Sequence, residues 1–152
     1  LLPFGKYLPA DEKFPALAVN KIGRYQSRMV DIKIVSNHSP WLAGYTPGEI
    51  ESVPVSGSEG RLEMDGELMT ALADAGQIAA QYVDLSENPT MQSACNPFGS
   101  AAAIEGLLSP DGRIFGRMGH SERRAKGLYL NTSTKGEKSI FDFAAVYYRQ
   151  RD

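Results

Sequence analysis

Ser109-Pro110-Asp111-Gly112-Arg113-Ile114-Phe115-Gly116-Arg117-Met118-Gly119-His120-Ser121-Glu122-Arg123 packs a turn, a strand and a titratable pair into one short run. Pro-Asp-Gly is turn chemistry: proline presets φ and glycine accepts positive φ. The residues from Arg113 to Met118 then read as a short strand that runs into Gly119-His120. In an extended chain residues i and i+2 point to the same side, so His120 and Glu122 share a face just past the strand end. A carboxylate beside an imidazole fixes its tautomer and favours its charged form. That is the base-and-orienter part of a nucleophilic triad, without the nucleophile. A surface histidine beside a glutamate in a turn has the same spacing, and the pair alone leaves that alternative open.

Outward from this run the pattern is α/β. Arg28 to Val35 alternates, with Val30, Ile32 and Ile34 on one face and Asp31 and Lys33 on the other. Glu49 to Val55 and Ile78 to Asp84 read as further strands, with Pro54 placed near an end or an edge. A helix is expected from Gly66 to Ala75, capped by Asp65 and stopped by Gly76. A second runs from Ser139 to Arg149, with Ile140, Phe143, Ala144 and Tyr147 on one face. Residues 1–18 carry three prolines and read as an irregular arm before an α/β body over 19–152. The segments Asn37 to Pro47, Ser56 to Gly60 and Glu87 to Leu107 read as loops, the last with a helical turn near Ala101 to Ile104. Two helices for four strands leave the sheet short of cover on both faces.

A chain of 152 residues makes one domain with a sizeable core. Sixteen basic against eighteen acidic residues give a net charge of −2, which argues against a dedicated nucleic-acid binder. No apolar run is long enough for a membrane span, the start does not resemble a signal peptide, and a single cysteine excludes an internal disulfide framework. A cytoplasmic protein is expected, with no nucleic acid and no membrane among its partners. Leu1-Leu2, with no initiator methionine, reads as the continuation of a buried element, so a piece of a longer chain is expected. Such a piece exposes a sheet edge through which it can self-associate.

The remaining candidates are weaker. The two histidines, His38 and His120, lie far apart, and no metal, nucleotide or serine-hydrolase motif is present. Cys95 has no basic neighbour and no nucleophile turn, so it reads as a small loop residue whose replacement by serine leaves the fold intact. Ser56 to Gly60 reads equally as an anion-binding nest or as a plain connection. Asn37-His38-Ser39-Pro40-Trp41 follows a strand end, where open α/β sheets place ligands, and Trp41 reads equally as a pocket wall or a loop anchor. Arg123, Arg124 and Lys126 read as a solvated basic face, and the sequons at Asn37 and Asn131 as chance matches.

The run from Ala103 to Arg123 resembles the C-terminal glutaminase domain of phosphoribosylformylglycinamidine synthase in its large single-chain form. Asn20 to Ser27, Ser36 to Leu42, Gln77 to Asp84 and Asn88 to Thr90 resemble the same domain in the same order. The resemblance implies part of a class I glutamine amidotransferase sheet, flavodoxin-like, lacking its first strands and nucleophile turn. It implies a Cys-His-Glu triad in which His120 and Glu122 match the histidine and glutamate. Asn37, Ser39, Pro40 and Trp41 match the region that helps hold glutamine. The family's cysteine is expected just before Leu1, with Leu1 to Gly5 resembling the segment after it, so the chain alone is expected to be inactive. ATP and magnesium are expected in the synthetase domain, the remainder of the parent polypeptide, and none in this piece. A non-catalytic docking module of the same ancestry is the alternative. Gly57-Ser58-Glu59-Gly60 stands where the family has His-Gly-Glu-Gly, and Phe98 where it often has asparagine.

Overall fold

Val30, Ile32 and Ile34 are at most 5% exposed, and the strand that carries them, β2 (Gln26–Ile34), is the spine of the molecule. The computed structural model describes residues 15–123, 127–132 and 138–150. Along β2 the residues facing away from the core, Met29, Asp31 and Lys33, stay exposed or half-buried, as alternation requires. β2 pairs on one side with β3 (Ile50–Gly57), in register from Gln26 opposite Gly57 to Lys33 opposite Ile50. On its other side lies β5 (Ile78–Tyr82), followed by β6 (Ile104–Leu108) and β7 (Phe115–Arg117). The sheet order is β3-β2-β5-β6-β7, and each of its ladders is antiparallel. A separate two-stranded ribbon joins β1 (Ala16–Val19) to β4 (Glu59–Glu63).

The sheet curls until its end strands meet. Just past β7, Gly119 bridges Val55 of β3, and the His120 amide donates to the Pro54 carbonyl at 2.8 Å. The proline therefore faces outward with the side that lacks an N–H, and no ladder bond to β2 is lost. Inside the curl Val53, Val55, Ala80, Tyr82 and Phe98 join the β2 face in one core. Each large apolar side chain so buried contributes about 1.5–3 kcal/mol.

Both expected helices form. α1 (Gly66–Asp74) is capped by Asp65, whose Oδ1 accepts from the Leu68 amide at 2.8 Å, and ends at Gly76 with φ of +66°. Its Met69 and Leu72 cover a second cluster built on Leu62, Ile78 and Ile104. α2 (Ile140–Arg149) buries Ile140 and Ala144 and half-buries Phe143 and Tyr147, the expected face. It docks on the one-turn 3-10 helix Pro40–Leu42, with Trp41 edge-on to Phe141 at 6.2 Å and Tyr45 edge-on to Phe143 at 5.9 Å. Gly44 lies flat against the Phe143 ring, where a Cβ would overlap it. Gly44→Ala should therefore cost about 1–3 kcal/mol, the usual range for overpacking. Urea melts of both proteins check this, and equal midpoints would show that α2 is not seated as described.

Several segments differ from the sequence reading. Ala16 to Ala18, read as part of the irregular arm, lie in β1, and residues 1–14 lie outside the described residues. Ser56 to Gly60 is not a strand-to-helix loop: Ser56 and Gly57 end β3, and Glu59 and Gly60 begin β4. The nest reading fails there because extended ribbon, not a helix N-terminus, follows. The long loop ends early, since Ile104–Leu108 is β6, preceded by the 3-10 turn Ala101–Ala103. Among the described residues the strands number seven rather than four. The expected free edge is reduced, because Gly119 and His120 cover part of β3.

Candidate active site

His120 is held by its backbone before its side chain makes any contact. The amide bond to Pro54 fixes it against β3, and the Arg123 amide donates back to the His120 carbonyl at 3.1 Å. That bond closes a turn over Ser121 and Glu122, and the turn, rather than the extended chain the spacing suggested, brings the two side chains together. The imidazole Nδ1 lies 2.7 Å from Glu122 Oε1. Its other nitrogen, Nε2, lies 3.0 Å from the Ser56 hydroxyl and 3.4 Å from the Ser56 carbonyl. A carboxylate can only accept, so in the neutral ring the proton sits on Nδ1 and Nε2 accepts from Ser56. When the ring takes up a second proton, Nε2 becomes a donor and the Ser56 carbonyl is there to receive it.

Partial burial opposes ionisation of Glu122. Against it act the Glu122 backbone amide, the hydrogen bond from His120, and the His120 and Arg123 charges, and together they hold the carboxyl below its usual range. Its folded pKa thus lies below the unfolded one. The stability this contributes is present above the unfolded value and is lost as pH falls through the folded value. With the carboxylate 57% exposed, the contribution stays within the roughly 0–1 kcal/mol of surface pairs. In His120→Ala, the Glu122 carboxyl carbon followed by NMR should titrate closer to an ordinary glutamate. A midpoint equal to that of the unsubstituted chain would show that the pair does not form in solution.

The other expected residues lie elsewhere along β7. Ser39 Oγ donates to the Gly112 carbonyl at 2.7 Å and accepts from the Trp41 amide, so it caps the turn begun by Pro40. Asn37 donates to the Tyr45 carbonyl at 3.1 Å, and Trp41 Nε1 to the Arg113 carbonyl at 2.9 Å. These contacts meet the chain at Gly112 and Arg113, before β7, whereas His120 follows it. At the rise of a strand the seven residues from Arg113 to His120 span about 23 Å. The structure does not bring Asn37, Ser39 and Pro40 to the imidazole. Trp41 is both anchor and wall: it borders an apolar cleft of about 450 Å³ along β7 that also reaches Ser121 and Glu122. Cys95 sits in the loop before Asn96, its amide bonded to Gln92, and the ring nitrogens of His120 are taken by Glu122 and Ser56 rather than by its thiol. Arg123 contacts Glu122 at 3.8 Å, while Arg124, Lys126 and Ser133 lie outside the described residues. Among the described residues no cluster of His, Cys, Asp and Glu could hold a metal ion, and no helix is long and apolar enough to cross a membrane.

Ser56 was not legible as a site residue, because its partner is 64 positions away and only the curl brings them together. Glu105 and Arg117, buried beneath the pair, were equally hidden, since charged residues are read as surface.

The curled α/β sheet is class I glutamine amidotransferase-like in fold. The family model for CobB/CobQ-like glutamine amidotransferase domains matches residues 1–150, and the chain belongs to that family. It is similar to the phosphoribosylformylglycinamidine synthase subunit PurQ of Synechocystis sp., at 33% identity over 117 residues, 77% of this chain and 51% of that protein. The PurQ subunit of Natronomonas pharaonis is 31% identical over 108 residues, 71% of this chain and 47% of that protein. That of Thermomicrobium roseum is 34% identical over 92 residues, 60% and 38% of the two chains. The chain thus spans about half the length, or less, of these curated relatives. Among solved structures, PurLQS from Thermotoga maritima superposes with a TM-score of 0.62 at 22% identity, covering 89% of this chain and 53% of that one. The expected fold class stands on this likeness. These relatives are separate subunits rather than the large single-chain form.

Proposed function

We propose that this chain carries the proton-handling half of the glutaminase centre of a phosphoribosylformylglycinamidine synthase. The observation that carries the reading is the 2.7 Å contact between His120 Nδ1 and Glu122, which leaves Nε2 as the working atom. In this reading a cysteine thiolate attacks the side-chain amide carbon of glutamine, and backbone N–H groups stabilise the oxyanion. Protonated His120 gives its Nε2 proton to the departing nitrogen, which leaves as ammonia, and a thioester remains. Neutral His120 then takes a proton from water as its oxygen attacks the thioester, releasing glutamate and restoring the thiolate and the protonated imidazole. Glu122 orients the ring and stabilises its charged form throughout. Ammonia passes to a synthetase domain, where ATP and magnesium activate the formylglycinamide ribonucleotide amide. Asn37, Ser39, Pro40 and Trp41 enter as a wall of the cleft and its support.

With the ring nitrogens turned away from Cys95, the attacking sulfur in this reading comes from outside these 152 residues, and Nε2 exchanges the Ser56 hydroxyl for it. The purified chain should therefore release no ammonia from glutamine, while the complete enzyme does. Steady release by the chain alone contradicts the external nucleophile. The reading extends to a cytoplasmic, single-chain parent with the synthetase half covalently attached, and a native polypeptide of subunit size would overturn that part.

A further inference from the structure

Residues on either side of His120 are tied to a charged cluster sealed inside the curl. Glu105 Oε1 accepts from the Gly119 amide at 2.6 Å and from Arg117 Nε at 3.1 Å. Arg117 Nη1 donates to the Ser121 hydroxyl at 2.7 Å and lies 3.5 Å from Glu51, which in turn accepts from the Tyr45 hydroxyl at 2.8 Å. The Glu105, Glu51 and Arg117 side chains are 0%, 3% and 6% exposed. Position 119 has no room for a side chain: a Cβ would meet Val53 at 2.7 Å, Glu105 at 2.8 Å and Arg117 at 3.0 Å. Arg117, Gly119 and Ser121 thus all bond within the sealed cluster, while His120 and Glu122 bond to each other.

We propose that Glu105 and Arg117 are positioning residues for His120: by gripping Gly119 and Ser121 from within, they set the backbone rotation that turns the imidazole toward Glu122 and Ser56. Buried charges are a costly means of mere stability, since apolar side chains of equal volume often serve as well. What an apolar pair cannot do is accept from one specified amide and donate to one specified hydroxyl. The bidirectional grip fixes rotation about the strand axis, the one freedom that would swing positions 120 and 122 off their shared face. A backbone shift of this kind matters because proton transfer requires hydrogen-bond reach. Catalytic consequences rest on the glutaminase reading above; the geometric claim does not, and the test separates the two.

The test follows the Glu122 carboxyl carbon of the 152-residue chain by NMR across acid pH, with thermal unfolding measured in parallel. Among the described residues, the charged groups that face this carboxyl are His120 and Arg123. Three variants are compared: Ser121→Ala, Arg117→Lys and the paired exchange Glu105→Gln with Arg117→Met. The paired exchange should move the Glu122 midpoint upward to the value found in His120→Ala, even where the protein remains folded. Ser121→Ala, which deletes the one small buried hydroxyl that Arg117 grips and keeps the core, should move it part of the way. Arg117→Lys should fall between Ser121→Ala and the paired exchange, since it keeps the charge and loses the fork. If the melting temperature falls but the Glu122 midpoint stays at the unsubstituted value in Ser121→Ala and Arg117→Lys, the cluster is structural only and the proposal is overturned. Should the paired exchange fail to fold, those two variants decide. A glutaminase assay of the complete enzyme can fail independently: loss of that reading leaves these midpoints where they are.

Discussion

Replacing His120 with alanine is expected to lower glutamine-dependent turnover of the complete enzyme by about 10²–10⁴-fold, the usual share of one general acid-base group. Turnover supplied with free ammonia should stay at the unsubstituted level, because in the proposed reading the imidazole serves glutamine hydrolysis alone. The size of the effect follows from the geometry. In the proposed reading Nε2 exchanges protons after giving up its Ser56 contact, since Nδ1 is committed to Glu122 at 2.7 Å. Alanine removes the donor for departing ammonia and the acceptor for attacking water in one change. The side chain is 29% exposed, so its loss opens no deep cavity and the sheet should remain closed by the His120 amide bond to Pro54. An equal fall in both activities would assign the residue to folding instead.

Phe98→Ala is expected to cost about 3–5 kcal/mol, the range for deleting a buried phenylalanine. Phe98 is fully buried in the main core, and its ring approaches the position a Cβ on Gly57 would take, at 3.9 Å. It lies under the end of β3, next to Ser56. A loss of this size is a large part of the roughly 5–15 kcal/mol that keeps a domain folded. Urea unfolding followed by circular dichroism measures it. A change below about 1 kcal/mol would place Phe98 outside the core, since that is the scale of surface substitutions.

How much was legible in the sequence depended on whether the signal was local. The β2 face was readable because Val30, Ile32 and Ile34 alternate with polar residues and one side of the strand meets the core. α1 was readable from its cap Asp65, which accepts from the Leu68 amide, and α2 from the shared face of Ile140, Phe143, Ala144 and Tyr147. β4 and β6 were not readable. Gly60 and Gly106 interrupt their patterns, and Ile104–Leu108 carries a buried glutamate where an apolar residue would have announced a strand. Such segments are extended because neighbours pair with them, and pairing over long separations leaves little trace in local propensity. The site divides the same way. His120 and Glu122 were found because they lie two residues apart, although a turn from His120 to Arg123, not extended chain, brings them together. Ser56, Glu105 and Arg117 were missed because only the closed curl places them there. The loop from Asn37 to Trp41 was read as a ligand site from its place after a strand end; Ser39 and Trp41 meet the chain before β7 and His120 follows it, because the antiparallel order puts consecutive loops at opposite ends of the sheet.

The account rests on Glu122 dictating which nitrogen of His120 does the work. Nitrogen-15 spectra of the imidazole in alkaline solution, where the ring is neutral, read this directly. The geometry predicts that the proton resides on Nδ1 and that Nε2 is bare, and that Glu122→Ala abolishes this preference. A ring that carries its proton on Nε2 in the unsubstituted chain would contradict the arrangement from which the proposed chemistry follows.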